Sequence, residues 1–195
     1  MRIFIAIDID QATRADLADL QAELRGKADI KKSDAKWVDP DNIHLTVKFL
    51  GEVKDQQIVE VCNITKEVAA RHKRFDIEVS AVGHFGGKSA RVLWVGAGQD
   101  CAELLALQRQ LEARLAEVGW PEENRKFSGH LTLCRVRNSK AGVKLAQLTG
   151  EYKDFKVGTI PVQALTVYQS RLTPSGPTYT VLGRYELKQG AERGA

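Results

Sequence analysis

The sequence predicts an α+β protein built from two similar halves, and three observations lead to this fold class. Helix-like and strand-like patterns alternate along the 195-residue chain, with no Pro-rich or Gly-rich linker between them. The tripeptide His-Leu-Thr occurs twice, at residues 44–46 and 130–132, close to half the chain apart. Each copy follows one helical pattern and precedes another. We therefore predict one bilobal domain over residues 1–195, in which a duplicated unit faces its copy and the tail 189–195 is frayed.

Eight segments have the alternating apolar and polar side chains, or the short apolar runs, that predict β-strands. In one of them apolar Phe75, Ile77 and Val79 alternate with polar residues, and a Gly-Gly turn then leads to the next strand, so these two strands are expected to pair. The predicted strands cover residues 2–9, 36–38, 43–50, 75–82, 91–95, 130–136, 164–170 and 179–187.

Four segments have apolar residues at three- and four-residue spacing, the pattern of an amphipathic helix. In the first of them Leu17, Leu20 and Leu24 recur among charged residues. The predicted helices cover residues 12–26, 56–70, 101–118 and 143–148.

The composition is that of an ordinary soluble globular protein, with 43% hydrophobic and 28% charged residues. Asp8 and Asp10 interrupt the apolar start too early for a signal peptide, and no apolar stretch is long enough to span a bilayer. These aspartates are expected to end the first strand and cap the first helix. We expect a cytoplasmic protein with no membrane partner. The net charge of +4 and the pI near 9.0 are compatible with a phosphate-rich partner.

The three cysteines, Cys62, Cys101 and Cys134, form no Cys-x-x-Cys pair, which argues against a disulfide framework and against a thiolate zinc site. Cys134 follows Thr132 by two positions, so it is a candidate to line the same face of its strand. A catalytic thiol there is disfavoured, because no local feature would stabilise a thiolate.

The two His-Leu-Thr motifs are the strongest functional signal in the chain. Successive side chains of a strand point to opposite faces, so His44 and Thr46 share one face, and His130 and Thr132 repeat the arrangement. Imidazoles, whose pKa lies near neutrality, can act as a general acid and a general base, while hydroxyls can donate hydrogen bonds to phosphate oxygens. Two such pairs across a cleft predict cleavage of a phosphodiester without a metal.

Other residues near the motifs are weaker candidates. Lys48 has the same parity as His44, which predicts a phosphate-binding ammonium on the polar face, with a solvated lysine at the cleft edge as the alternative. His84 lies in a predicted loop and could approach a ligand. One of Trp37, Trp94 and Trp120 could stack a base, although core or lobe-interface aromatics are the plainer interpretation.

With these residues in hand, the chain resembles the two-histidine (2H) phosphoesterase superfamily, and within it the RNA 2′,3′-cyclic phosphodiesterases once named 2′-5′ RNA ligases. The most specific stretch, residues 37–51, reads Trp-Val-Asp-Pro-Asp-Asn-Ile-His-Leu-Thr-Val-Lys-Phe-Leu-Gly. Supporting stretches are residues 2–8, 91–96, 127–135, 170–172 and 176–179. Family members commonly have proline before the second histidine. This chain has Gly129 there, so we expect a freer backbone and a looser His130.

The resemblance implies a pseudo-twofold α+β fold, with mostly antiparallel sheets lining a central cleft, helices outside and both motifs on the cleft floor. It implies no metal and no nucleotide cofactor. The implied reaction opens a terminal 2′,3′-cyclic phosphate on RNA to leave a 2′-phosphate. Ligation to a 2′-5′ bond is the same chemistry in reverse, with an RNA 5′-hydroxyl in place of water. The expected partner is RNA with such an end, tRNA-derived RNA being one candidate, and the protein is expected to be a monomer.

The resemblance also suggests roles for individual residues. Thr46 and Thr132 would stabilise charge on the non-bridging phosphate oxygens. Arg135 would contact phosphate, although strict alternation puts it on the face opposite His130 unless a bulge or the strand end re-aims it. We assign His44 as the acid and His130 as the base, and the reverse assignment stays open.

Two other functions stay open from the sequence. The natural substrate could be a small cyclic nucleotide such as ADP-ribose 1″,2″-cyclic phosphate, or the protein could bind RNA ends without cleaving them. A zinc site built from the two histidines is disfavoured, because no carboxylate or thiolate at ligand spacing completes it.

Overall fold

Within residues 1–174 and 176–189, which the computed structural model describes, nine strands form one sheet. They are β1 (Arg2–Asp8), β2 (Ala35–Trp37), β3 (His44–Glu52), β4 (Phe75–Phe85), β5 (Val92–Ala97), β6 (His130–Val136), β7 (Lys156–Val162), β8 (Ala164–Leu172) and β9 (Pro177–Glu186). The strand order is β7-β4-β5-β6-β3-β1-β8-β9, and β2 pairs with β6 beside β3. Each pair of named strands is antiparallel.

The described part of the chain also holds four α-helices and two 3-10 turns. The helices are α1 (Gln11–Ala28), α2 (Asp55–Ala69), α3 (Ala102–Ala116) and α4 (Ser139–Leu148), and the turns are Pro40–Asn42 and Thr149–Tyr152. Helix α1 starts where the Asp10 carboxylate accepts a hydrogen bond from the Thr13 amide at 2.7 Å. Its predicted stripe of Leu17, Leu20 and Leu24 is fully buried, as amphipathic packing against a sheet requires.

Apart from β2, the sheet divides into two four-stranded halves, which meet where β3 joins β6 at the register pair Leu45 and Leu131. One half is β3-β1-β8-β9 and the other is β7-β4-β5-β6. Helices α2 and α3 contact each other and strands of the first half, whereas α1 and α4 contact each other and strands of the second. Thus α1 follows β1 of the first half in the chain but packs on the second half. Helix α3 follows β5 of the second half but packs on the first half. The α+β fold class is confirmed, but the halves are interleaved in sequence, since β8 and β9 return to extend the half that β1 began.

The main prediction error is the strand β7, which the sequence did not predict. Gly158 and Pro161 lie within it, and both residues disfavour strands. The structure explains how they are tolerated: β7 pairs with β4 at the edge of the sheet, where an unpaired backbone position costs little. Helix α4 starts earlier than predicted because the Asn138 side chain accepts hydrogen bonds from two of its first amides. The predicted frayed tail, 189–195, lies outside the described residues apart from Gln189.

The core combines the apolar faces of both sheet halves and all four helices. Ile5 and Ile7 of β1, Leu45 of β3 and Leu131 of β6 are within it and are almost fully buried. Each fully buried aliphatic side chain contributes about 1.5–3 kcal/mol relative to an exposed one, so the two motif strands are held firmly from behind. None of the described helices is long and apolar enough to cross a membrane.

Candidate active site

The two histidine motifs lie side by side at the junction of the sheet halves. Leu45 pairs with Leu131, so His44 and His130 flank this pair on the opposite, open face. Extending the antiparallel register by one residue places each histidine across from the threonine of the other motif. The two imidazoles then occupy one diagonal of a four-residue square, and diagonal neighbours on antiparallel strands are about 7–8 Å apart. Residues at that spacing can hold a phosphate group between their side chains.

Each imidazole is fixed by the same backbone hydrogen bond. The Nδ1 of His44 donates to the carbonyl oxygen of Asn42 at 2.8 Å, and the Nδ1 of His130 donates to that of Ser128 at 2.8 Å. Because a carbonyl can only accept, Nδ1 carries the proton in both rings. The Nε2 atoms have no protein partner in the described ranges. Both histidines therefore present the same nitrogen for proton transfer.

The backbone segments that carry the Asn42 and Ser128 carbonyls are held by different hydrogen bonds. On the His44 side, Arg14 of α1 donates to the carbonyl oxygens of Pro40 and Asp41 at 3.1 and 2.6 Å, which holds the 3-10 turn that ends at Asn42. On the His130 side, the Ala97 amide and the Gln99 side chain both donate to the Gly129 carbonyl oxygen at 3.0 Å.

Gly129 does not give the loose backbone that the sequence led us to expect. It is buried, its carbonyl oxygen accepts two hydrogen bonds, and a Cβ at this position would collide with the Ala97 carbonyl oxygen. Glycine is therefore needed for the close approach of this segment to β5.

The predicted place of Lys48 on the cleft face is wrong. The pairing of β1 with β3 skips one residue between Thr46 and Lys48, which is a β-bulge, and the bulge reverses the parity of the residues that follow. Lys48 consequently points to the core side, where its Nζ lies 2.6 Å from the Glu112 carboxylate of α3 and 2.9 Å from the Pro121 carbonyl oxygen. Phe49 takes the position on the cleft instead.

A matching bulge on β6 brings Arg135 to the cleft. The pairing of β5 with β6 skips Leu133, between Thr132 and Cys134, so Arg135 shares the face of His130 although it stands five residues further on. The bulge that the sequence analysis required is therefore present. The same bulge turns Cys134 into the core, against expectation, where burial raises the pKa of its thiol to about 12.

The cleft that contains the motifs has a volume of about 1060 Å³. Its floor includes His44, Thr46, His130 and Thr132, and Arg135 lies beside them. The structure thus brings together all the predicted site residues except Lys48.

His44 lies in an aromatic pocket. The ring of Phe4 stacks on it with centroids 4.7 Å apart, and Tyr179 meets it edge-on at 5.3 Å. Burial lowers the pKa of His44, since a cation in this pocket would lose its hydration. The carboxylate of Asp8, which pairs with His44 across β1 and β3, acts in the opposite direction, while the Arg14 and Arg135 charges add to the lowering.

As the sequence suggested, Asp10 caps helix α1, and strand β1 ends at Asp8. The Asp8 carboxylate accepts hydrogen bonds from the hydroxyls of Tyr168 at 2.5 Å and Thr166 at 2.7 Å. Burial and this carboxylate raise the pKa of Tyr168, which therefore stays a hydrogen-bond donor at neutral pH. The carboxylate beside His44 is thus held in place by two neutral hydroxyls.

His130 has a different aromatic surround. Phe85 meets its ring edge-on with centroids 5.0 Å apart, and Trp94 is tilted at 6.3 Å. The Trp94 ring lies over Gly83, where a Cβ would collide with it. This glycine gives the ring room next to the histidine.

The other two histidines are bound elsewhere. The ring nitrogens of His84 contact the Thr149 hydroxyl at 3.2 Å and the Gly87 carbonyl oxygen at 2.9 Å, and His72 contacts Gln110 at 2.8 Å. Neither lines the cleft. Across residues 1–174 and 176–189, no three His, Cys, Asp or Glu side chains cluster closely enough to hold a metal ion.

Sequence reasoning missed the aromatic residues that surround the two rings, chiefly Phe4, Tyr179 and Phe85. They come from strands distant in the chain, and each reads locally as one more apolar strand residue. One signal was available for Phe4: it has the parity of Ala6 and Asp8, the face of β1 that is continuous with His44.

Comparison with known proteins identifies the family. The profile of the LigT-like phosphoesterases matches residues 7–94 and 97–179, which include both histidine motifs. The chain belongs to the LigT-like phosphoesterase family. The resemblance noted in the sequence is thereby confirmed.

Curated relatives of this LigT-like phosphoesterase align over nearly its full length. A Methanothermobacter thermautotrophicus protein named RNA 2′,3′-cyclic phosphodiesterase is 32% identical over 190 residues, which are 96% of this chain and 99% of the relative. A Thermotoga maritima protein of the same name is 32% identical over 194 residues, 99% of each chain.

Solved structures of LigT-like proteins have the same fold. The structure of E. coli LigT complexed with 3′-AMP superposes with a TM-score of 0.75 at 26% identity, covering 96% of this chain and 98% of that one. A Thermus thermophilus protein gives a TM-score of 0.78 at 25% identity, covering 98% of this chain and 100% of that one.

Proposed function

We propose that this protein is an RNA 2′,3′-cyclic phosphodiesterase that uses His44 and His130 as its acid–base pair. One observation carries the proposal: two imidazoles on adjoining strands each bind a carbonyl through Nδ1 and leave Nε2 to a common cleft. The names of the curated relatives support the same activity.

The chemistry follows from this placement. One imidazole takes a proton from water as the water oxygen attacks phosphorus, and the other protonates the 3′ oxygen as its bond to phosphorus breaks. The product is an RNA end with a 2′-phosphate and a free 3′-hydroxyl. Each proton transfer contributes about 10²–10⁴-fold to the rate. Rings on a diagonal suit in-line displacement, because base and leaving group must lie on opposite sides of phosphorus.

The hydroxyls of Thr46 and Thr132 are suited to donate to the non-bridging oxygens, where negative charge grows in the transition state. Arg135 adds a full positive charge beside them. The guanidinium can donate two hydrogen bonds in a fixed plane, which suits a phosphate better than an ammonium does. We propose that it binds the phosphate as the negative charge develops.

The assignment of His44 as acid and His130 as base remains a prediction. Burial of His44 lowers its pKa, so its protonated form is a stronger acid but is less populated at neutral pH. One limb of the pH profile of turnover is therefore expected below the ordinary histidine value in either assignment.

The test is product analysis with an RNA oligonucleotide that ends in a 2′,3′-cyclic phosphate. We expect a 2′-phosphate as the product and an undiminished rate in EDTA. A 3′-phosphate product would show that the 2′ oxygen leaves instead. Loss of activity in EDTA would point to metal catalysis, and binding without turnover would leave an RNA-end binding protein.

We further propose that the protein acts as a cytoplasmic monomer on RNA ends such as those left by tRNA cleavage. Reverse 2′-5′ ligation would use the same two histidines, with an RNA 5′-hydroxyl in place of water. Adding a 5′-hydroxyl oligonucleotide to the product-analysis assay tests this, because ligation gives a longer RNA.

A further inference from the structure

The cleft continues beyond the histidines into a side arm. We call this extension the β2 arm and define it by Arg25 of α1 together with Lys36 and Trp37 of β2, all of which line the cleft. Its opposite wall includes Leu172 at the end of β8 and Gly176 just before β9. The two walls approach closely, since a Cβ on Gly176 would lie 3.5 Å from the Lys36 Nζ. At about 1060 Å³ the whole cleft is at the upper limit of pockets that hold a single drug-sized molecule.

The β2 arm is continuous with the phosphate site through adjacent positive charges. Lys36 is the direct register partner of Arg135 on the neighbouring strand. Like charges directly opposite each other destabilise a sheet, unless an anion lies between or beside them. No carboxylate forms an ion pair with Arg25, Lys36 or Arg135 anywhere in residues 1–174 and 176–189. One carboxylate, that of Asp39, is among the lining groups.

The arm also has a stacking surface. The Arg25 guanidinium lies over the Trp37 ring, 5.1 Å from its centroid. An indole with a planar cation stacked on it is a surface on which a nucleobase of any sequence can stack. Single-stranded nucleic acids are bound by this combination of backbone-tracking cations and aromatic stacking.

We propose that the β2 arm binds the nucleotide on the 5′ side of the terminal, cyclic-phosphate-bearing nucleotide. Lys36 binds the phosphodiester that joins the two nucleotides, and the base of the 5′ nucleotide stacks on Arg25 and Trp37. Arg135 lies between the two phosphates. The arm makes a single-stranded oligonucleotide a better substrate than a cyclic mononucleotide. This inference rests on the proposed function and names its substrate class.

The experiment compares kcat/KM for a 2′,3′-cyclic mononucleotide and for a tetranucleotide that ends in the same cyclic nucleotide. The wild-type protein should prefer the tetranucleotide. Lys36→Gln and Trp37→Leu should each lower kcat/KM for the tetranucleotide by roughly 5- to 100-fold, and by far less for the mononucleotide. Lys36→Gln should also weaken the salt dependence of tetranucleotide binding. Trp37→Phe should restore most of the preference.

The matched control is Lys66→Gln, which removes an exposed charge on α2 outside the cleft and should keep the wild-type preference. Lys36 is exposed, so its variant is expected to fold normally. The proposed role of the β2 arm would be overturned if the wild type had equal kcat/KM for the two substrates, or if the variants lost equal factors of kcat/KM on both. The proposed function would remain intact in either case. Absence of turnover on both substrates would refute the proposed function. Tetranucleotide affinity, measured by fluorescence anisotropy in a His130→Ala background, would then still decide whether Lys36→Gln weakens binding.

Discussion

The two histidine sites use the same atoms but different surroundings. In both, Nδ1 binds the carbonyl two residues earlier, a threonine follows at the second position and a β-bulge comes next. His44 is stacked face to face on Phe4, and a carboxylate lies on the strand beside it. His130 has Phe85 at its edge and faces a glycine, Gly96, at the position of that carboxylate. The geometry is duplicated while the electrostatics are not.

This difference indicates how one repeated motif can supply both an acid and a base. Identical imidazoles in identical surroundings would titrate together, whereas the two steps need one ring protonated and one neutral. Unequal burial and unequal neighbouring charge are the means by which a protein makes two like groups titrate apart. Symmetry of position and asymmetry of surroundings are therefore both needed for this chemistry.

The most severe way to break the pair is to remove either ring. We expect His44→Ala and His130→Ala each to lower kcat on a cyclic-phosphate RNA by at least about a hundredfold, because each removes one proton transfer. The double variant should lose little more than the weaker single variant, since the rings act as a unit. His72→Ala, a histidine outside the cleft, is the control for steady-state assays and circular dichroism. A single variant that kept most of its activity would remove that histidine from the mechanism.

Substituting the residue two places beyond each threonine tests the effect of the two bulges. Lys48 and Cys134 occupy equivalent core positions, but Lys48 forms a buried ion pair with Glu112. Lys48→Met should lower the free energy of unfolding in urea by about 3–5 kcal/mol, because it leaves a buried carboxylate without its partner. Cys134→Ala should cost about 1 kcal/mol.

The same Lys48→Met variant separates stability from catalysis. Under conditions where it is folded, it should turn over substrate close to the wild-type rate, because Lys48 lies behind the strand. A selective rise in KM without a loss of stability would instead indicate that Lys48 binds the phosphate.

The smallest expected effect is a shift in pH dependence at His44. The lowered pKa of His44 is expected to place one limb of the kcat/KM profile below 6.5, the ordinary histidine value, whether His44 acts as the acid or as the base. Phe4→Ala admits water to the ring and should move whichever limb belongs to His44 upwards. Phe85→Ala, beside His130, should leave that limb in place.

Much of this site could be predicted from the sequence because its signals are local. A strand alternates its side chains whatever surrounds it, so His44 with Thr46 and His130 with Thr132 are paired by the chain itself. Arg135 and Lys48 show where local reasoning ends. Both lie beyond a bulge, which brings one to the cleft and turns the other away from it, and the position of a bulge depends on the neighbouring strand. Likewise β7 owes its strand conformation to pairing with β4 rather than to its own residues.

The exchange of helices between the two halves has a consequence for how the protein could be divided. Each half of the sheet is covered by a helix that directly follows a strand of the other half. Helix α1 follows β1 and packs on the second half, and α3 follows β5 and packs on the first half. A fragment ending before α3 would contain one histidine motif, yet it would lack the helix that shields the strand behind that motif. Separately expressed fragments should therefore remain unfolded or aggregate until mixed, and activity should return only as the complementary pieces associate.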